Sequence, residues 1–468
     1  MPHKTIAGLT AGKLLFLLDA AFLACAWPLA LVLAGAPAPQ HAPYWFAVAL
    51  CPASYLLGAY ALGLYRRDVI VEPRRSFGRV PVVAAMGVLA ATAAAASVCW
   101  WLGLERPGVS LFAAAFLCSC VSATAARAAF YALRDRGVFH RRLLVVGAGR
   151  RAWDLAWMLG KEGTNLNDRI VFVHDPVLGE IDPRLADESA GPVVHAPVQG
   201  ILDIARHHGV DQIVVAPDER RGLALDSLLA CKVAGFPVTQ YLSFVEREIH
   251  RVDLKRMELS WLLYSDGFHF GLMDRALKRG LDLLVSGVAL AFSAPFLLAA
   301  MAAIKLDDGG PVLYRQERVT KDGRGFHILK LRTMRVDAEA GGAVWAASND
   351  ARITRIGVFL RRTRLDELPQ LFNVLRGDMS LVGPRPERPA FVEMLSGQLS
   401  LYRERHVVKA GLTGWAQVNY PYGASTDDAR SKLSYDLYYV KNFSVLFDLL
   451  IILQTIRVVL WPGAAGAR

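Results

Sequence analysis

The sequence predicts a membrane protein in three parts: an N-terminal four-TM helical bundle, an α/β middle domain, and a mainly α C-terminal domain with a re-entrant membrane helix. Three observations predict it. The chain of 468 residues is 54% hydrophobic, with a mean hydropathy of +0.30, too apolar for an ordinary soluble protein of that length. Long apolar stretches open the chain, and another appears near residue 281. Between them, short apolar runs alternate with polar helical segments, as in an α/β domain. Length allows two or three domains, and the texture sets them at 1–138, 139–270 and 271–468.

The opening stretches run Lys13 to Gly35, Tyr44 to Leu64, Val80 to Leu104 and Val109 to Leu133. Each approaches the ~20 residues that a helix needs to cross hydrocarbon. The first also resembles a secretory signal, with Lys4 and Lys13 before an apolar run and Ala24-Cys25-Ala26 near its end. Its length, the interrupting Asp19 and the spans that follow favour a transmembrane helix. The loop RRDVIVEPRRSFGR and the segment RDRGVFHRR are strongly basic, whereas the connections APAPQHAP and ERPG are nearly devoid of positive charge. By the positive-inside rule, both ends of the bundle face the cytoplasm.

The net charge of +11 lies in clusters beside apolar segments and around Thr363. That fits anionic lipid heads and phosphate better than nucleic acid. Cys25, Cys51, Cys99, Cys118 and Cys120 lie in apolar stretches and Cys231 stands alone. With no CxxC pair, the soluble parts are expected in a reducing compartment.

In the middle domain, RRLLVVGAGRRAWDLAWML reads as a strand, a glycine turn and a helix. Gly147-Ala148-Gly149-Arg150-Arg151-Ala152 fits the Rossmann-like GxGxxA fingerprint, and the strand RIVFVHD ends in Asp175, where a ribose-binding acid would sit. DQIVVAP and FPVTQYL supply further strands. Two readings stand: a nucleotide site with pyrophosphate at the helix N-terminus, or a fold kept for packing or for assembly of a homodimer. No Tyr-x-x-x-Lys pair, as a nucleotide-sugar dehydratase or epimerase would use, occurs in the chain.

The apolar run Leu281 to Ile304 follows Arg275, Lys278 and Arg279 and precedes Lys305, Arg315, Arg318 and Lys321. Basic flanks at both ends place them on one side of the membrane. Pro295 removes a backbone donor, and the Ser293 hydroxyl can satisfy a freed group. Together these predict a helix–break–helix hairpin that enters and leaves the same face; a kinked complete span is the alternative.

The stretch TRLDELPQLFNVLRGDMSLVGPRP sets Asp366 and Glu367 side by side, with Arg361, Arg362 and Arg364 before them and Arg385 after. One reading is helix capping by Asp366 or by Thr363, with Pro369 in the first turn and Leu368, Leu371, Phe372 and Leu375 as the buried stripe. Capping leaves Glu367 and the arginines without a role. Phosphoryl transfer gives them one: a carboxylate nucleophile, a neighbour that holds Mg²⁺, and guanidiniums on the phosphate oxygens. The same guanidiniums are expected to depress the pKa of Asp366 and keep it ionised.

The segments LKLRTM, RRTRLDELPQLFNVLRGDMSLVGPRP, GLTGWAQVN and YDLYYVKN resemble the catalytic motifs of the bacterial polyprenyl-phosphate hexose-1-phosphate transferases of exopolysaccharide synthesis. The resemblance extends over nearly the whole chain, in the large form with a four-helix unit and a Rossmann-like (CoA-binding-like) domain. It implies transfer of hexose-1-phosphate from a UDP-sugar, UDP-glucose foremost, to undecaprenyl phosphate through an aspartyl phosphosugar intermediate. It further implies a site on the cytoplasmic face of the bacterial inner membrane, in contact with the lipid bilayer. By position, Asp366 is the implied nucleophile and Glu367 the Mg²⁺ ligand. Arg361 would grip phosphate, Lys330 and Pro384-Arg385-Pro386 would line the pocket, and Ser293 and Pro295 would form the re-entrant break. Two departures from the family pattern are Ala294, between the serine and the proline, and Lys409-Ala410-Gly411, where proline often precedes the glycine.

Ser444 to Trp461 is apolar enough to lie in the membrane surface or to be a final core helix. Trp415, Gln417 and Asn419 are candidate donor contacts, with core packing as the other reading of Trp415. His406 is a candidate phosphate neighbour, and nothing is expected of His207 and His208. A membrane nucleotide-sugar dehydratase or epimerase is the competing enzyme, and a non-catalytic export scaffold the third reading.

Overall fold

The computed structural model describes residues 10–34, 42–103, 108–137, 140–163, 166–186, 189–219, 221–268, 271–335, 352–421, 423 and 425–460. Lys4, most of the two non-basic connections and Trp461 lie outside the described residues. The chain forms two compact units, residues 1–250 and 251–468.

In the first unit, helices Ala11–Leu33, Ala42–Ala61, Val80–Leu102 and Val109–Asp135 stand where the apolar stretches predict them. The first packs against the fourth and the second against the third. Small residues let the backbones approach: a Cβ at Gly87 would meet Tyr55 N at 3.0 Å. Among the described residues, the first, third and fourth helices, and Leu272 onward in the second unit, are long and apolar enough to cross a membrane. Asp19 does not interrupt the first helix. Its Oδ1 accepts from Arg127 Nη1 at 2.8 Å and its Oδ2 from the Tyr65 hydroxyl at 2.9 Å, with Asp19 and Arg127 both 0% exposed. An ionised residue inside such a bundle persists only when paired in this way.

The basic loop after the second helix has a structural task as well as a topological one. Arg67 donates to the carbonyls of Leu159 at 2.8 Å and Gly160 at 3.0 Å, at the C-terminal end of helix Arg150–Glu162. A cation there meets unsatisfied carbonyls and the negative end of the helix dipole. The loop and the middle domain therefore lie on the same side of the bundle.

The middle domain is a five-stranded parallel sheet of order β3-β2-β1-β4-β5, with β1 His140–Val146, β2 Asn167–His174, β3 Val193–His195, β4 Gln212–Val215 and β5 Val238–Gln240. Leu143 to Val146 are wholly buried, the continuous apolar run of a central parallel strand. Gly147 takes φ 112°, and a Cβ there would press on Ala216 O at 2.7 Å. Asp175 does not face a ribose. Its two oxygens accept from Val177 N at 3.0 Å and Val198 N at 2.9 Å, closing the turn after β2. Asp218, beyond β4, fills the anion position of the glycine turn, accepting from Arg150 N at 2.7 Å and Arg151 N at 3.1 Å. These contacts favour the packing reading of this domain.

The second unit is mainly helical around two small sheets. An antiparallel pair joins β6 (Leu313–Val319) to β7 (Gly325–Leu331), and a parallel pair joins β8 (Ser380–Val382) to β9 (Gly411–Thr413). The sequence pattern sets a boundary at residue 270, yet Val252 N donates to Ser434 O at 3.1 Å and Phe268 N to Lys441 O at 3.0 Å, inside the C-terminal unit.

The long helix Leu272–Asp308 corrects one expectation. It runs for 37 residues without a break through Pro295. Proline deletes a single donor, and Ser293 Oγ donates to Leu290 O at 3.3 Å, so the turn holds. Both halves of the helix pack on the same unit. Asp282 accepts from Ser380 Oγ at 2.8 Å and Leu381 N at 3.0 Å, while Leu297, Ala300 and Ile304 cluster with Leu331 and Leu360. Leu284, Val288, Phe292 and Phe296 form an exposed apolar stripe. The terminal helix Val445–Leu460 buries Asp448, Ile451 and Arg457 and exposes Leu446, Leu449, Ile456 and Val459. It is therefore a core helix with an apolar outer edge.

Candidate active site

Helix Arg355–Thr363 begins at Thr354, whose Oγ1 accepts from Gly357 N at 2.9 Å. It ends where Arg364 turns left-handed, φ 60°. A 3₁₀ turn, Leu365–Glu367, follows, and then helix Gln370–Arg376. Leu371 and Val374 bury that helix against the hairpin, whereas Phe372, expected in the stripe, is 44% exposed. The register is set by Asn373, which sequence reasoning missed. Its Oδ1 accepts from Leu329 N at 3.0 Å and its Nδ2 donates to His327 O at 2.9 Å. A buried asparagine in an apolar helical stripe was the available signal. Through it the acids on one element are aligned with Lys330 on β7.

The capping reading fails. Thr363 Oγ1 donates back to Phe359 O at 2.9 Å, and Pro369 is the N-cap, with no side-chain bond. Asp366 is 8% exposed, and its Oδ1 is buried with no hydrogen-bond partner among the described residues. An unsatisfied buried carboxylate oxygen is costly, which makes this atom a candidate contact for a ligand.

Glu367 is the anchor of the cluster. Its Oε1 lies 3.1 Å from Arg385 Nη2, 3.3 Å from Lys330 Nζ and 3.9 Å from Arg364 Nη1. Arg361 Nε donates to Thr333 Oγ1 at 2.9 Å, and its charge also acts on Asp366. Pro384 and Pro386 frame Arg385, their carbonyls accepting from Gly411 N at 2.9 Å and Arg318 Nη1 at 3.1 Å. The structure thus brings Asp366, Glu367, Lys330, Arg361 and Arg385 into one place.

The electrostatics correct a second expectation. Burial, followed by the charge of Glu367, raises the Asp366 pKa to about 6, and the opposing pull of Lys330, Arg361 and Arg364 does not restore it. Burial works on Glu367 in the same sense, but Lys330, Arg385 and Arg364 outweigh it and hold that carboxyl well below the usual range. Burial pushes Lys330 down, partly offset by Glu367. Two adjacent carboxylates are thereby separated, one permanently charged and one titrating near neutrality.

A pH dependence follows. Any chemistry that needs the Asp366 anion should be lost as pH drops through about 6. Single-turnover measurement over an acid series checks this. An acid limb centred near 4 would remove burial as the cause.

The other candidates make contacts within the fold. Burial and Arg405 push His406 down to about 4, so it is a neutral ring and a poor phosphate partner. Trp415 packs 5.0 Å from the Phe447 ring. Gln417 Nε2 donates to Leu412 O and Asn419 Nδ2 to Trp415 O, both at 3.0 Å. Among the described residues no group of three or more His, Cys, Asp or Glu gathers as a metal cage. A cation that binds through one or two carboxylates plus phosphate and water still fits the unpartnered Asp366 oxygen beside Glu367.

Residues 273–462 match the family model described as bacterial sugar transferase. The chain is 42% identical over 244 residues to the UDP-N-acetylgalactosamine-undecaprenyl-phosphate N-acetylgalactosaminephosphotransferase of Aeromonas hydrophila, covering 52% of this chain and 56% of the relative. It is 44% identical over 193 residues to the exopolysaccharide production protein PSS of Rhizobium leguminosarum, covering 39% of this chain and 95% of that protein. With the UDP-glucose:undecaprenyl-phosphate glucose-1-phosphate transferase of Xanthomonas campestris it shares 29% identity over 386 residues, 76% of this chain and 74% of the relative. The chain belongs to the bacterial sugar transferase family, among the polyprenyl-phosphate hexose-1-phosphate transferases.

Proposed function

We propose that the protein transfers hexose-1-phosphate from a UDP-hexose to undecaprenyl phosphate, giving undecaprenyl-diphosphate-hexose and UMP, at the cytoplasmic face of the inner membrane during exopolysaccharide synthesis. The observation that carries this reading is the buried, unpartnered Asp366 oxygen beside a cation-held Glu367. Asp366 attacks the sugar-bearing phosphorus of the donor. The bond from that phosphorus to the bridging oxygen breaks, and UMP leaves with the oxygen. An oxygen of the polyprenyl phosphate then attacks the same phosphorus and releases the carboxylate. Lys330, Arg385, Arg361 and Arg364 hold positive charge on the oxygens where charge builds up. Mg²⁺ held by Glu367, with Asp366 beside it, would neutralise diphosphate charge when bound.

The acceptor phosphate sits at headgroup level, so the site must reach the interface. The apolar stripe of the long helix supports insertion into lipid. Its basic flanks, and the packing of both halves on one unit, support a helix that keeps both ends at one face by lying along the membrane interface. Relatives are named for glucose and for N-acetylgalactosamine, and UDP-glucose is the donor proposed here. The dehydratase or epimerase alternative is disfavoured by the missing Tyr-x-x-x-Lys pair and by Asp218 in the glycine turn.

Membranes containing the protein, given undecaprenyl phosphate and a panel of labelled UDP-sugars, should move label into lipid with release of UMP. Label from UDP-N-acetylgalactosamine alone would change the sugar. No nucleoside monophosphate from any donor would refute the reading.

A further inference from the structure

The segment that presents Arg385 is pinned along its whole length. Prolines at 384 and 386 fix two φ angles near −65°. The carbonyls of Pro384, Arg385, Pro386 and Glu387 accept, in turn, from Gly411 N at 2.9 Å, Arg405 Nη2 at 3.0 Å, Arg318 Nη1 at 3.1 Å and Val319 N at 3.0 Å. Two of these donors are guanidiniums, and that of Arg405 is 5% exposed. Arg405 Nε and Nη2 reach Asp436 Oδ2 at 3.0 and 2.7 Å, and Nη1 donates to the Tyr402 hydroxyl at 3.0 Å. Asp436, on helix Thr426–Lys441, is 2% exposed.

A buried ion pair of this kind is weak evidence for stability, since an apolar replacement often does as well. What an apolar replacement cannot do is donate to the Arg385 carbonyl. We propose that Arg405, braced by Asp436 and Tyr402, is a positioning residue: it fixes the Arg385 backbone so that the Arg385 side chain meets Glu367 and the transferred phosphate. The kinetic part of this proposal rests on the phosphosugar-transfer reading; the backbone part does not.

The test uses full-length protein in membranes or nanodiscs, with R405K, D436N and, as a milder variant that keeps the buried ring, Y402F. Hydrogen exchange on peptides containing the Arg385 and Glu387 amides should speed up in R405K and D436N, with little change in the first unit. kcat should fall about tenfold or more, with donor KM moving less, since small misplacements of a group acting at the transition state have effects of that size. In an R385A background, the same substitutions should cause no further loss. Unchanged exchange at Arg385 and Glu387 overturns the proposal. Equal losses with and without Arg385 also overturn it, because a merely structural residue behaves that way. Should wild type transfer no sugar phosphate while exchange responds as expected, the functional reading fails and the bracing of Arg385 stands.

Discussion

Asp366→Asn should abolish phosphosugar transfer, by about a thousand-fold or more as for loss of a covalent nucleophile, and make the protein more stable at neutral pH. The second half follows from burial. The folded-state pKa is about 6 against an ordinary 3.8, so between those values the folded protein binds more protons than the unfolded chain. Stability therefore falls as pH rises through that window, is fully reduced above about 6, and is unaffected below 3.8. A shift of this size corresponds to about 1–3 kcal/mol. Thermal unfolding of wild type and D366N at pH 7.5 should show the variant melting several degrees higher, with the gap closing towards pH 4. A variant less stable than wild type at both pH values would mean that the carboxylate has hydrogen-bond partners.

Arg127→Met should weaken the membrane bundle by about 3–5 kcal/mol, the usual effect of stranding one member of a buried ion pair. It leaves Asp19, fully enclosed, without the guanidinium 2.8 Å away. The pair itself is imperfect, since Arg127 Nε and Nη2 have no hydrogen-bond partner among the described residues. Replacing both residues, as D19L/R127M, should consequently restore most of the lost stability. Unfolding in mild detergent of the single and double variants completes the cycle. Additive losses would show that the two residues act separately.

How much of this was legible in the sequence depends on the range of the forces involved. The four bundle helices were, because hydrocarbon demands long apolar runs and the connections carry a charge bias. The gathering of Lys330, Glu367 and Arg385 was anticipated only through motif resemblance; nothing in their spacing places β7 beside the 3₁₀ turn. The direction of the Asp366 shift was missed because counting nearby arginines ignores desolvation, which here is larger. The break at Ser293–Pro295 was inferred from topology, but a helix tolerates one missing donor. Asp218 and Arg405 were invisible for a shared reason: each lies in a short charged run, and its partner is on a distant stretch of chain.

The placement of Asp218 has a wider consequence. A carboxylate tethered to the same chain is an intramolecular ligand, present at an effective concentration of roughly millimolar or higher. Its occupancy of the two amides at Arg150 and Arg151 does not follow mass action in the surrounding pool. Any free diphosphate must outcompete it before touching that helix. Nucleotide binding at that turn is thus weakened by the factor that the internal carboxylate's own occupancy sets.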